Sequence, residues 1–174
     1  WSSDVCSSDL ELSLGAQPYI GKGFVSMFNG ELYNENELRI ELEELGIAKK
    51  EQPNGDMQLL GAYLKTFGLN NLKKIDGMFA GVFFDEERNS IFAIRDRVGE
   101  KPIYFFTGEN ILVISSVVLS GFEVSRLPNS MNWLGNGFQA SDEIPFSKFR
   151  EVKPGTYLEF MSSGKILETF YWKW

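Results

Sequence analysis

Asn29, Gly30 and Glu31 are the residues whose types and spacing point most directly to chemistry. They follow a short apolar run, Phe24 to Phe28 (FVSMF), which predicts a buried strand, and the Asn-Gly pair predicts a turn at its end. Such a turn exposes an amide side chain and a backbone N–H at the rim of a sheet. Two donors aimed at one point can stabilise the oxyanion that forms when a carbonyl is attacked. From local sequence alone, an ordinary tight turn is the simpler interpretation of the pair.

Two other charged positions have both a structural and a chemical interpretation. Asp56 follows Pro53-Asn54-Gly55 and precedes an apolar helical pattern, so its carboxylate either caps a helix or holds an ammonium group. Local sequence favours the cap. Arg95-Asp96-Arg97 ends a predicted strand, and its simplest interpretation is a solvated or internally paired charge cluster.

The composition excludes several kinds of site and partner. The 174 residues include no histidine and one cysteine, Cys6, which excludes a Ser/His/Asp triad, a Cys/His dyad, His-ligated or thiolate metal sites and an internal disulfide. The formal charge of -7 argues against nucleic-acid binding, which rests on clustered Lys and Arg. No apolar run approaches the roughly 18–20 residues of a membrane span. Catalysis would therefore use carboxylates, amides, backbone N–H groups or the single thiol.

Two helices are predicted after the first strand. The first has Asn34 at its N-cap and Gly46 as its stop, and the second begins at Asp56 and stops at Gly68. A short turn is predicted from Leu69 to Lys74. The apolar positions of the two helix faces are Leu38, Leu42, Leu45, Leu60, Leu64 and Phe67.

Four apolar runs follow, at 78–84, 90–96, 102–106 and 111–115. Connectors of about four to six residues favour antiparallel hairpins. The runs are apolar on both alternating faces, so both faces of the sheet are expected to be covered. These patterns predict a layered α+β domain with antiparallel sheets. A long connection is predicted at 121–143, with one helical turn at 131–134. A final hairpin is predicted from strands at 156–160 and 166–170.

Residues 1–10 (WSSDVCSSDL) have neither a strand nor a helix period, and all ten match an in-frame translation of a common sequencing adapter. We therefore expect this segment to be non-native and Cys6 to have no role. The authentic domain is expected to run from 11 to 174, as a piece of a longer protein whose N-terminal part is missing.

Several motifs, in this order, resemble the class II glutamine amidotransferase domain, and most of all the glutaminase half of glutamine-dependent asparagine synthetase. The resemblance covers residues 11–174 and implies the N-terminal-nucleophile fold, a four-layer αββα sandwich of antiparallel sheets flanked by helices. The motifs are ELSLGAQPY (11–19), FNGELYN (28–34), NGDMQLL (54–60), MFAGVFFD (78–85), RDRVGEKPIYF (95–105) and FREVKPGTYLEF (149–160).

The resemblance also implies a reaction. In this family the thiol of an N-terminal cysteine attacks the side-chain amide of L-glutamine, with its own α-amine as base. Asn29 (side-chain amide) and Gly30 (backbone N–H) match the oxyanion hole, and Glu31 and Asp56 match acidic groups near the substrate's α-ammonium. The domain itself needs no cofactor, and its ammonia passes to a C-terminal synthetase domain that uses ATP and Mg²⁺. Because residues 11–174 contain no cysteine, we expect the chain as printed to be inactive.

Alternatives remain open at this point. One is a catalytically retired domain of the same fold that only binds a partner or ligand, and another is the ammonia-supplying domain of a sugar-phosphate or purine-precursor amidotransferase. Val117 stands where the family commonly has glutamate, so the acceptor, aspartate or another, is left open. The resemblance further implies a cytoplasmic protein and leaves a homodimer open.

Overall fold

The computed structural model describes residues 16–121 and 147–173. Two α-helices, α1 (Glu35–Glu44) and α2 (Asp56–Phe67), and 3-10 turns at Lys49–Glu51 and Leu69–Lys74 lie between the second and third strands. Within the described ranges, no helix has the length and apolar character needed to cross a membrane. The strands are β1 (Tyr19–Gly21), β2 (Phe24–Leu32), β3 (Gly77–Asp85), β4 (Ser90–Arg95), β5 (Tyr104–Gly108), β6 (Ile111–Ser115), β7 (Arg150–Glu151), β8 (Thr156–Met161) and β9 (Ile166–Phe170).

The strands form two antiparallel sheets. The larger sheet has six strands in the order β1-β2-β3-β4-β8-β9, and the smaller has three in the order β6-β5-β7. The predicted hairpins β3–β4, β5–β6 and β8–β9 are present. The sequence prediction of antiparallel sheets is therefore confirmed.

Alternation along β3 separates two apolar cores. Phe79 and Phe83 face the helices, where Leu42 and Leu60 pack against them in one buried cluster. Ala80, between them in sequence, belongs to the cluster between the two sheets. The six-stranded sheet is thus covered on both faces, as its apolar alternation predicts. Within the described residues, a helix layer, the six-stranded sheet and the three-stranded sheet are stacked in that order.

The two helices lie where the sequence predicts them, but details at their ends differ from the prediction. α2 begins at Asp56 with Gly55 as its N-cap, so the prediction of Asp56 as the cap residue is wrong. Asn34 does flank α1, but its side chain makes no capping bond. Its amide instead bonds the Lys74 carbonyl oxygen and its carbonyl oxygen accepts from the Asp76 N–H, both at 3.0 Å. Leu45 is 59% exposed because α1 ends one residue before it.

One predicted hairpin is absent because its connector changes sheets. Residues 98–101 link β4 in the six-stranded sheet to β5 in the three-stranded sheet. The buried carboxylate of Asp96 holds this connector. One of its oxygens accepts the N–H groups of Val98 and Gly99, and the other accepts the N–H of Lys101. The helical turn predicted at 131–134 lies outside the described residues.

Candidate active site

Asn29 and Gly30 lie inside a strand and not in a turn. β2 pairs with β3 without interruption, with Asn29 opposite Ala80 and Gly30 opposite Phe79, and it ends only at Leu32. The predicted Asn-Gly turn is therefore wrong. The physical reason is that nine residues of β3 are available to pair with this segment, and tertiary pairing of this kind overrides local turn preference. An ordinary tight turn no longer explains the two residues.

Gly30 has a backbone conformation and a neighbour that only glycine tolerates. Its φ is 148°, and a Cβ there would overlap the Met78 carbonyl oxygen and approach the Phe79 Cα to 2.7 Å. The Phe79 carbonyl oxygen accepts the Asp96 N–H at 2.8 Å, so the backbone of Phe79 bonds towards β4. In an antiparallel ladder its β2 partner must then direct its own N–H away from β3. The Gly30 N–H accordingly points to the other edge of β2.

That edge is open around Gly30. β1 pairs with β2 only from Phe24 to Ser26, and no described strand covers the rest. Two side chains occupy the neighbouring positions. The Phe28 N–H donates to Gln17 Oε1 at 2.7 Å, and the Leu32 N–H donates to Asp56 Oδ2 at 3.1 Å. The Gly30 N–H lies between these two bonded amides on the same edge.

Asn29 lines a cavity between the two sheets. The cavity has a volume of about 400 Å³, and Asn29 is exposed on the face of β2 that looks towards the smaller sheet. Glu31, two residues further along the strand, is exposed on the same face. Gly30 and Asp56 lie at the edge of β2 and are not among the residues that line this cavity. The lining residues are Gln17, Met27, Phe28, Asn29, Ala80, Gly81, Val82, Pro102, Ile103, Ile114, Ser115 and Ser116.

Asp56 joins the start of α2 to the end of β2. Its Oδ1 accepts the N–H of Met57 at 2.7 Å, and its Oδ2 accepts the N–H of Leu32. The carboxylate also sits at the N-terminus of α2, the positive end of the helix dipole. An ionised carboxylate has about four acceptor positions, so two backbone bonds leave capacity for an ammonium donor.

Negative charge gathers where β2 ends. The pKa of the Tyr33 hydroxyl is raised by partial desolvation and then by the charges of Glu100, Glu31, Asp76 and Asp96, in that order. Phenol ionisation is disfavoured there because it would add a further negative charge. The same field favours a bound cation such as an ammonium group.

The Arg95-Asp96-Arg97 cluster is paired within the protein, with Arg95 and Asp96 buried and Arg97 partly exposed. Arg95 donates to Glu151 Oε1 and to the Val152 carbonyl oxygen, both at 2.7 Å. Asp96 is fully buried. Arg97 stacks over the Trp172 ring with its guanidinium carbon 4.4 Å from the ring centroid. The structural interpretation of this cluster accounts for its contacts.

Two further residues, which were not predicted from the sequence, shape this region. Gln17 completes the edge of β2 by donating to the Phe28 carbonyl oxygen and accepting its N–H. Arg39 binds the loop that precedes Asp56. The Gln17 contact joins residues 11 apart and the Arg39 contacts join residues 14 and 15 apart, so neither leaves a periodic signal in the sequence. The structure thus brings Asn29, Gly30, Glu31 and Asp56 to one end of β2.

Comparison with known proteins gives the family. Residues 8–172 match the model of the glutamine amidotransferase domain. The chain is 30% identical over 179 residues to asparagine synthetase [glutamine-hydrolyzing] 2 of Bacillus subtilis, covering 95% of this chain and 23% of that protein. It is 36% identical over 122 residues to asparagine synthetase [glutamine-hydrolyzing] 3 of the same organism, covering 68% of this chain and 19% of the relative. This chain therefore spans about a quarter or less of these relatives.

A solved structure shares the fold. The glutamine phosphoribosylpyrophosphate amidotransferase from B. subtilis aligns with a TM-score of 0.60 at 20% sequence identity, over 90% of this chain and 32% of the other. Its likeness, together with the two packed antiparallel sheets and their helix layer, confirms the α+β sandwich of the N-terminal-nucleophile amidotransferases. The match to the domain model covers nearly the whole chain, and on that ground the chain belongs to the glutamine amidotransferase domain family.

Proposed function

We propose that this domain hydrolyses L-glutamine and supplies the ammonia to an amide-forming domain of an asparagine-synthetase-like protein. The observation that carries the proposal is the pair of donors on consecutive residues of β2. The Asn29 amide lines the inter-sheet cavity, and the Gly30 N–H points to the adjoining open edge. The names of the two Bacillus subtilis relatives support the acceptor side of the proposal.

The reaction needs a thiol that residues 11–174 do not contain. In the proposed mechanism the sulfur of an N-terminal cysteine, whose α-amine takes the thiol proton, attacks the carbonyl carbon of the glutamine side-chain amide. Asn29 and Gly30 donate to the resulting oxyanion. The intermediate collapses to a thioester as the protonated amine returns the proton and ammonia leaves. Water then attacks the thioester and releases glutamate and the free thiol.

Glu31 and Asp56 are proposed to bind the α-ammonium of the substrate. Both lie at the end of β2, where Glu31 is one of the carboxylates that act on Tyr33 and Asp56 accepts the Leu32 N–H. Binding there would hold the amide end of glutamine at a fixed distance from the oxyanion donors, which is how remote binding energy contributes to catalysis. ATP and Mg²⁺ are proposed to act in the separate synthetase domain, with residues 1–10 non-native and the amidotransferase domain spanning 11–174.

The experiment is to recover the coding sequence upstream of residue 11 and to express the complete protein with its N-terminal cysteine. Release of glutamate from L-glutamine, abolished when that cysteine is replaced by serine, supports the proposal. The chain as printed serves as the matched control and should release no glutamate above buffer. A complete protein that has another residue at its N-terminus and releases no glutamate would instead identify a retired binding domain.

A further inference from the structure

Arg39 binds the loop that leads into Asp56. Its guanidinium donates to two consecutive carbonyl oxygens, that of Pro53 at 2.8 Å and that of Asn54 at 3.0 Å. One turn earlier on α1, Glu35 Oε1 accepts from Nε at 2.8 Å and from Nη2 at 2.6 Å. The arginine side chain is only 11% exposed. Arg39 is therefore fixed at both ends, by α1 and by the loop.

The same loop is tied to α1 a second time, through Gln52. This side chain is 6% exposed, and its amide donates to the carbonyl oxygens of Arg39 and Ile47, both at 3.1 Å. The Arg39 Nη1 lies 3.4 Å from the Gln52 Oε1. Because Gly55 and Asp56 follow directly, the position of this loop sets where α2 begins.

The contact set requires a guanidinium. Two neighbouring carbonyl oxygens and a carboxylate are bound at once, which a planar fork with five N–H donors can do. A lysine ammonium is a single point of charge and cannot span the same three acceptors. The positive charge alone therefore does not account for the arrangement.

We propose that Arg39 is a positioning residue for substrate recognition, which acts by fixing the Pro53–Gly55 loop so that the Asp56 carboxylate meets the α-ammonium of an amino-acid substrate. The inference rests on the proposed function, because it assumes that Asp56 binds that ammonium. Arg39 itself touches no substrate. Its loss should weaken binding of substrates that carry an α-ammonium and leave the chemical step unchanged.

The first test uses the chain as printed and needs no ligand. Amide hydrogen exchange is measured at Leu32 and Met57, whose N–H groups bond the Asp56 carboxylate. Arg39→Gln and Arg39→Lys should each lower the protection of both amides by about tenfold, since local opening becomes easier. Lys65→Gln is the matched control, because Lys65 pairs with Asp85 and Glu87 at the opposite end of α2, and it should leave both amides protected.

The second test uses the complete enzyme and two substrates. L-Glutamine carries the α-ammonium, whereas glutaramate has the same amide and carboxylate without it. Arg39→Lys and Arg39→Gln should raise the KM for L-glutamine about tenfold, the scale of one weakened charged hydrogen bond, with kcat within about twofold. The KM for glutaramate should not change. In a background that already carries Asp56→Asn, the Arg39 variants should add no further effect.

Each result decides a separate point. Unchanged protection at Leu32 and Met57, or full rescue by Arg39→Lys, overturns the positioning role of Arg39. An equal rise in KM for both substrates also overturns it, because the effect is then structural. If Asp56→Asn alone leaves the KM for L-glutamine unchanged, the proposed role of Asp56 fails, whatever the exchange data show for Arg39. Arg39→Lys keeps the charge and the stem, so the test holds if Arg39→Gln does not fold.

Discussion

The Asp56 carboxylate accepts the backbone N–H of Leu32 at 3.1 Å, so the first residue of α2 is bonded to the last residue of β2. Asn29 and Gly30 lie three and two residues before that contact on the same strand. One hydrogen bond thus fixes the distance between the proposed ammonium-binding carboxylate and the proposed oxyanion donors. A strand and a helix N-terminus hold both groups, and regular elements of this kind keep a site more rigid than loops do.

Asn29→Ala should lower kcat for glutamine hydrolysis in the complete protein by about 10²–10³, the usual cost of losing one oxyanion donor. The KM should change little, because the donor acts on charge that develops only during the reaction. Met27→Ala is the matched control, since Met27 lies on the same face of β2 and lines the same cavity. Turnover that is equal in Asn29→Ala and the wild type would remove Asn29 from the oxyanion hole.

Gly30→Ala should destabilise the chain by more than about 2 kcal/mol, because the new Cβ meets the backbone of β3 in addition to an unfavourable φ. Gly46→Ala separates the two effects. Gly46 also has a positive φ, of 85°, but nothing lies within 4 Å of its Cβ position. That control should cost about 1 kcal/mol. Urea unfolding measures both variants, and equal losses would show that close packing against Met78 is unimportant.

Asp96→Asn should destabilise the domain by about 2–4 kcal/mol. The buried carboxylate accepts four backbone N–H groups, and an amide in its place would direct its own N–H towards some of them. Glu86→Gln, at an exposed position of the β3–β4 turn, should change the free energy of unfolding by less than about 0.5 kcal/mol. A small effect of Asp96→Asn in chemical denaturation would show that water replaces the lost acceptor.

Tyr63→Phe should destabilise the domain by about 1 kcal/mol at pH 7, and by less in acid. The Tyr63 hydroxyl donates to Glu41 Oε2 at 2.7 Å, and this bond, with a second from Lys74, lowers the pKa of Glu41 below its ordinary 4.5. A carboxylate whose pKa is lower in the folded than in the unfolded state stabilises the fold above its unfolded pKa. That stability is lost as the pH falls through its folded pKa.

The measurement for Tyr63→Phe is the free energy of unfolding at pH 7 and at a pH below the folded value of Glu41. The difference in free energy of unfolding between the variant and the wild type should be smaller at the lower pH. Tyr33→Phe is the comparison, since the Tyr33 side chain is 57% exposed. The difference in free energy of unfolding between Tyr33→Phe and the wild type should not depend on pH in this range. A gap for Tyr63→Phe that is constant with pH would show that the hydrogen bond does not select the ionised form of Glu41.

Local signals predicted the helices and most strands because the turn and stop residues there agreed with the apolar periodicity. Gly46 and Gly68 stop α1 and α2 where the sequence places them. The apolar faces predicted for α1 and α2 are buried apart from Leu45, which is exposed, and Phe67, which is partly buried. The alternation in β3 also predicted a sheet covered on both sides. These features depend on residues that are close together in the sequence, so a single sequence displays them directly.

Most of the errors and omissions come from contacts between distant segments. Asn29-Gly30 has the composition of a turn, yet β3, some 50 residues later, pairs with it and keeps it extended. The loop-binding contacts of Arg39 are equally invisible, because no period links a helix residue to the carbonyl oxygens of a loop. The four site residues were chosen by resemblance. The structure gathers them at one end of β2, and their roles remain predictions.

The long-range contacts of Arg95 have a consequence for how the chain folds during synthesis. The Arg95 carbonyl oxygen accepts the Tyr171 hydroxyl, 76 residues later, and the Arg95 guanidinium binds Glu151 and Val152 more than 50 residues on. Contacts at such separation slow folding, because the loop must close before they form. A nascent chain still tethered to the ribosome before Tyr171 emerges lacks the last of these contacts. We therefore expect β2 and β3 to pair before the contacts of Arg95 are complete, and the sandwich to close only once Tyr171 has emerged.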